Sequence, residues 1–222
     1  MLSMNLQFFG GRGSTSGGAS GGMNAGNIVS TQSLLSASGK QSEINSVLDA
    51  VKSVYDNYGV DLSDIQIATL DGKGKSTLAY YDSQGNLAIN DTFFDSKSMN
   101  NAYDNSVKSG FHPPRGNKSG LEAVAAHELG HALTEEVGRR LGMGDWAVDK
   151  AANQIMKDAK ARLGAKSTAD VRGKVSGYAA SNNAEGVAEA FADVHCNGKK
   201  AKRESREIVG ALDRLLGGKK NG

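Results

Sequence analysis

Residues 119–137 read Ser119-Gly120-Leu121-Glu122-Ala123-Val124-Ala125-Ala126-His127-Glu128-Leu129-Gly130-His131-Ala132-Leu133-Thr134-Glu135-Glu136-Val137. Ala, Leu and Glu dominate and no proline interrupts them, so the stretch predicts a helix. Ser119 is the candidate N-cap, and Glu122 three residues later gives the pattern of a capping box. Leu121, Val124, Leu129, Ala132, Leu133 and Val137 supply an apolar stripe that is broad rather than one-sided. Positions i and i+4 of a helix share a face, so His127 and His131 can reach one metal ion with Glu128 beside them. The 222 residues contain four His and nine Glu, which makes the pattern His-Glu-x-x-His expected by chance only about 0.003 times. A helix whose two imidazoles bind nothing is therefore the weaker reading, and the string has the core of a zinc hydrolase site.

A catalytic zinc ion takes three protein ligands and leaves a fourth position for water. The metzincin pattern would put Gly at 134 and His at 137; Thr134 and Val137 stand there instead, which excludes that class. His112, ahead of Pro113-Pro114 in an expected loop, and His195, beside the only cysteine, Cys196, read as bystanders. A downstream carboxylate is the other solution. Residues 184–193, Ala-Glu-Gly-Val-Ala-Glu-Ala-Phe-Ala-Asp, offer Glu185 and Glu189 at i and i+4 of a helix, with Asp193 one turn further.

The stretch Ser176-Gly177-Tyr178-Ala179-Ala180-Ser181-Asn182-Asn183-Ala184-Glu185-Gly186-Val187-Ala188-Glu189-Ala190-Phe191-Ala192 resembles the second motif of gluzincin-type metallopeptidases related to the catalytic domain of anthrax lethal factor. There a Tyr, then Asn-x-x-Glu-x-x-Ala-Glu-Ala-Phe on a helix, follows the His-Glu-x-Gly-His helix. The resemblance covers residues 118–196. It implies that Glu185 is the third zinc ligand, that Tyr178 hydrogen-bonds the developing oxyanion, and that Glu189 is a partner for a ligating His. It departs at Gly186-Val187, where two aromatic residues are usual, and looser packing of the ligand helix is the expected result.

Each residue type suits that chemistry. Two neutral imidazoles and one carboxylate leave Zn2+ with net positive charge, which lowers the pKa of a bound water toward about 7. Glu128 points past the metal and is placed as the general base. A ligating His passes its other ring N–H to a carboxylate or carbonyl, for which Glu189 and Glu135 are the candidates.

The rest of the chain sets a frame. Composition, at 38% hydrophobic and 23% charged, allows one well-cored domain plus a tail. One Cys rules out an internal disulfide, and a net charge of +2 gives no strong bias toward nucleic acid. No stretch approaches the roughly 18 apolar residues of a membrane span. The apolar run Leu6-Gln7-Phe8-Phe9 is cut off by Gly10-Gly11-Arg12-Gly13, so no secretory signal is expected. Residues 10–26 hold eight Gly and four Ser or Thr with one charge, Arg12, and residues 1–41 are read as a flexible arm preceding a domain over 42–222.

Residues 43–58 predict a helix with Ile44, Leu48, Val51 and Tyr55 on its buried face and Gly59 at its end. Residues 64–70, 76–81 and 86–90 read as strands, with turns at 71–74 and 83–86. Residues 96–108, 146–163, 168–175 and 203–216 read as helices, and 111–118 as a loop able to shape a cleft entrance. Residues 199–222 carry eight Lys or Arg against three acids, which a solvated amphipathic face explains better than contact with a polyanion. A small sheet before the histidine helix is the layout of the peptidases that the chain resembles. The expected fold is thus α+β and zincin-like: a small antiparallel sheet packed on the active-site helix, with a mostly helical C-terminal half. Residues 87–90 are the candidate edge strand for pairing with an extended peptide.

The opening Met4-Asn5-Leu6-Gln7-Phe8-Phe9-Gly10-Gly11-Arg12-Gly13-Ser14 resembles the start of head-associated proteins of tailed phages and prophages. That implies a virion or host-cytoplasm setting and a docking role toward capsid proteins for residues 6–9. Together the expectations are a zinc-dependent endopeptidase in which His127, His131 and Glu185 hold the metal, Glu128 is the base and Tyr178 the oxyanion donor. The alternative is a virion structural or interaction protein whose zinc site is structural or inactive.

Overall fold

The computed structural model describes residues 40–58, 60, 66–70, 77–81 and 86–217. The elements in chain order are α1 (Gln41–Tyr58), β1 (Gln66–Leu70), β2 (Ala79–Tyr81), β3 (Asn86–Asn90), α2 (Ser96–Lys108), α3 (Gly120–Arg140), α4 (Ala147–Leu163), α5 (Thr168–Val175), α6 (Asn183–Asn197) and α7 (Arg203–Leu216), with 3-10 turns at Asp91–Phe93 and Gly198–Lys200. The chain is mostly helical with one small sheet, an α+β arrangement. Nearly all of the Gly/Ser-rich arm, the docking candidate 6–9, Gly59 and the expected turns at 71–74 and 83–85 lie outside the described residues. No helix among the described residues is long and apolar enough to cross a membrane.

α3 is the axis. Residues 120–134 are buried without exception, and α1, α2, α4, α6, α7 and β2 all pack on it. A helix covered on every side needs no polar face, which is why its apolar pattern is broad. Its start is capped as expected on one side only: the Ser119 hydroxyl accepts the Glu122 N–H at 3.0 Å. The reciprocal half of the box is replaced, because the Glu122 carboxylate takes Lys118 Nζ and His195 Nε2, each at 2.9 Å. A full box forms instead at α5, between Ser167 and Asp170.

α3 and α6 cross at Gly130. A Cβ there would lie 2.8 Å from the Ala188 Cα, so only glycine lets the two backbones meet at this distance. That contact sets the carboxylates of α6 against the histidines of α3.

The sheet corrects two expectations. It has three strands in the order β1-β3-β2 and is mixed, not antiparallel: β2 runs antiparallel to β3, but β1 pairs with β3 in parallel, Gln66 opposite Asn86 through Leu70 opposite Asn90. β3, the candidate edge strand at residues 87–90, is therefore central, with both of its backbone edges committed to neighbours. The outer strands of the described sheet are β1 and β2, and β2 is the one against α3. Leu87 and Ile89 alternate into the main core while Ala88 and Tyr80 meet on the opposite face.

α1 is rotated from its expected face. Ile44, Val47, Ala50 and Val54 are the buried line, with Leu48 and Val51 at its margin.

Candidate metal centre

Two helices and two loops assemble the site. His127, Glu128 and His131 come from the middle of α3, where none is more than 1% exposed. Glu185 enters from the first turn of α6, its N–H bound by the Asn182 side chain at 2.9 Å. That cap fixes where the helix starts and so where its first carboxylate points. Glu185 Oε2 lies 3.2 Å from His127 Nε2 and 3.3 Å from His131 Nε2, and the two imidazoles stand 5.0 Å apart between ring centres and nearly perpendicular. Single atoms of His127, Glu128 and His131 also fall within 4.8 Å of one another. This buried group can hold a metal ion. Glu128 and Glu185 both approach the histidine pair, and Glu185 approaches with the distances of a ligand set. Bonds of about 2.0 to 2.2 Å in tetrahedral geometry put ligand atoms roughly 3.3 Å apart.

Glu189, one turn beyond Glu185, is fully buried. Its Oε1 accepts His127 Nδ1 at 2.8 Å and His112 Nδ1 at 3.0 Å, and its Oε2 accepts the Ser176 hydroxyl at 2.7 Å. The carboxylate role expected of Glu189 toward a histidine thus has its geometry, and Nδ1 of His127 is tied so that Nε2 faces Glu185 and His131. Glu135 lies half-buried one turn beyond His131.

Tyr178 is half-buried and lies across His127 with ring centres 5.8 Å apart, and the Glu185 carboxylate is among the charges that raise its hydroxyl. Its loop is bound to the loop before α3, where the N–H of Gly177 reaches the carbonyl of Gly110 at 2.8 Å and that of Tyr178 reaches Phe111 at 2.9 Å. Residues 110–112 therefore lie beside the site.

Electrostatics divide the charged groups. Burial pushes the Glu128 carboxyl up to about 8, with His127 pulling down and Glu185 pushing further up. Neither Glu128 oxygen has a hydrogen bond of ordinary geometry among the described residues, although the Tyr81 backbone N–H of β2 faces it. Burial alone would also raise Glu189, but His112 and His127 hold it at about 2. Glu185 is driven well below the usual carboxylate range by the two histidines, against its burial. Burial opposes charge on His127, yet Glu185 and Glu189 raise it to about 10, while burial lowers His131. Burial first, and then the surrounding carboxylates, raise the Tyr178 hydroxyl, which keeps it a proton donor.

The looser packing expected at Gly186 is absent. A Cβ there would come within 2.8 and 2.9 Å of Arg172 Cδ and Cγ, so the arginine stem covers the position where the related motif carries an aromatic ring. The Arg172 head is held by Asn183 Oδ1 and by the Ala180 carbonyl at 3.3 Å. Val187 is buried.

His112 was read as a bystander and is not one, since it shares Glu189 with His127. Ser176 was also passed over, although it opens the motif that contains Tyr178. His195 stays outside the site on Glu122, and Asp193 binds Asn197 Nδ2 and the Lys202 N–H. The Cys196 thiol, pushed up to about 12 by burial, is no nucleophile. No protein-family model, curated protein or solved structure matches the chain.

Proposed function

We propose that the chain is a zinc-dependent endopeptidase with a zincin-like fold, in which His127, His131 and Glu185 hold the metal. The observation that carries this reading is the spacing of His127 Nε2, His131 Nε2 and Glu185 Oε2, 3.2 and 3.3 Å along the two edges that meet at Glu185, together with a buried carboxylate beside them that has no side-chain hydrogen bond among the described residues. Two imidazoles and one carboxylate are the donor set of catalytic zinc, whereas calcium and magnesium prefer oxygen alone. Zinc bound there supplies a Lewis acid that acidifies water and polarises a carbonyl.

Glu128 takes the proton of the attacking water and returns it to the leaving amine, a role suited to a carboxyl whose surroundings hold it near neutrality. Tyr178 offers its hydroxyl to the oxyanion as charge develops. An extended peptide pairs with β2 rather than β3, because β2 is an outer strand of the described sheet and packs on α3, whereas both edges of β3 are committed. The resemblance of residues 4–14 to phage head proteins directs the search for substrates and partners to capsid and scaffold proteins of tailed phages.

Metal analysis of the purified protein should give about one equivalent of zinc. Glu185→Ala should lose it. Glu128→Gln should keep it while peptide cleavage falls about 10²- to 10⁴-fold. Wild type that holds zinc but cleaves nothing in a broad peptide library returns the chain to the structural alternative, and full zinc occupancy in Glu185→Ala removes the third ligand.

A further inference from the structure

We infer that His112 is a positioning residue, which holds the Glu189 carboxylate in the plane where it can orient the metal-binding ring of His127, and which ties the Tyr178 loop to the same carboxylate. This rests on the assignment of His127 as a ligand. Glu189 Oε1 lies 2.8 Å from His127 Nδ1 and 3.0 Å from His112 Nδ1, so one acceptor oxygen serves two imidazoles. A carboxylate can serve both only if each ring carries its proton on Nδ1. In His127 that leaves the Nε2 lone pair for the metal, on the side where Glu185 Oε2 lies 3.2 Å away. With Ser176 on the other oxygen at 2.7 Å, the carboxylate is held at three points. Remove His112 and two remain, both able to follow a rotating side chain.

The clamp is itself rigid. His112 is 2% exposed, stacks on Tyr103 of α2 at 5.3 Å, and meets Phe111 and Tyr178 edge-on at 5.0 and 5.6 Å. Pro113 behind it restricts its backbone. The two preceding residues, Gly110 and Phe111, accept the N–H groups of Gly177 and Tyr178, so one short segment touches the carboxylate by a side chain and the tyrosine loop by its backbone. A buried histidine kept only for packing would need its ring and not its Nδ1 proton.

That difference is the test. His112→Phe keeps the stack on Tyr103 and removes the donor; His112→Asn keeps a donor near the Nδ1 position and loses most of the ring. Zinc affinity of each full-length variant, measured by chelator competition, should fall about 10- to 100-fold in His112→Phe, the usual effect of losing a partner behind a ligand. It should recover most of that loss in His112→Asn. Wild-type affinity in a folded His112→Phe overturns the inference, and so does a folded His112→Asn as weak as the Phe variant.

Should either variant fail to fold, 15N-histidine NMR of the unaltered protein decides. A His112 ring carrying a proton on Nδ1 supports the clamp, and a neutral ring protonated only on Nε2 overturns it. Absence of zinc from the wild type would appear before any variant is made, and it would sink the peptidase reading separately.

Discussion

Glu189 on α6 and Glu128 on α3 are both fully buried carboxyls close to His127, yet one is held at about 2 and the other is pushed up to about 8. The α6 wall surrounds its carboxylate with three side-chain donors. Among the described residues, the wall formed by α3 and β2 offers Glu128 the charge of His127 and the backbone of Tyr81, and no side-chain hydrogen bond. Burial penalises the charged form in both places, and the number of donors decides which carboxyl keeps its charge regardless. The first wall is built to hold an anion still and with it a ligand ring. The second leaves a carboxyl able to take up a proton and give it back. Holding and turnover would then be separable by mutation.

Tyr178 tests the boundary most sharply, because it lies across the ligand ring of His127 while its proposed work is in turnover. Tyr178→Phe should lower kcat about 10²- to 10³-fold, the roughly 2.7 to 4 kcal/mol assigned to one oxyanion donor, and leave zinc affinity within about twofold of wild type. Steady-state kinetics beside chelator competition separates the two quantities. A large loss of zinc would move Tyr178 to the holding side.

The holding wall was largely legible before any coordinates, and the reason is local. His127 and His131, or Glu185 and Glu189, are one helical turn apart, so periodicity alone puts each pair on one face, and the cap at Ser119 falls where side-chain chemistry demands. The contacts that were missed are distant ones. His112 meets Glu189 across 77 residues, and nothing in the spacing around His112-Pro113-Pro114 signals a partner so far away. Strand order failed for the same reason. The run 86–90 has correct bounds, but its central place depends on pairing with residues 66–70 in parallel, which no hairpin turn specifies. The apolar stripe of α1 came out rotated: Ile44, Val47, Ala50 and Val54 are buried, whereas Leu48 and Val51, equally apolar in the sequence, lie at the margin of the core.

Gly130 offers a smaller perturbation confined to the holding wall. Gly130→Ala would bring a methyl to 2.8 Å from the Ala188 Cα, and backbone cannot yield as a flexible side chain can. Overpacking of this kind costs about 1 to 3 kcal/mol, or roughly 2 to 12 °C in Tm for a chain of this size. Since the same displacement moves Glu185 from the histidines, zinc affinity should fall along with Tm. A variant that melts lower but binds zinc as before would show that the α3–α6 crossing supports the fold without setting the ligand distances.

The last test reads the two carboxyls directly through the pH dependence of stability in the zinc-free protein. Glu189 and Glu185 have depressed pKa values, so their contribution is present above about 4.5, the ordinary Glu value, and is lost as pH falls toward 2. His127 is raised from 6.5 to about 10, so its contribution is complete below 6.5 and is lost as pH rises through 10. Glu128 is raised from 4.5 to about 8; between those values the folded state binds a proton that the unfolded chain has released, and stability declines with rising pH. His131 is lowered from 6.5, so its contribution grows as pH rises to 6.5 and opposes Glu128 below that value. Zinc-free protein should therefore melt lower at each step from pH 6.5 to pH 9, where Glu128 and His127 act in the same direction. One proton difference is worth about 1.4 kcal/mol per pH unit, or roughly 3 to 5 °C. In Glu128→Gln the amide cannot titrate, so the variant should gain on wild type from pH 5 to pH 8 and then hold its lead. A difference that stays constant with pH would mean that Glu128 is charged throughout, and the contrast between the two walls would then be one of position alone.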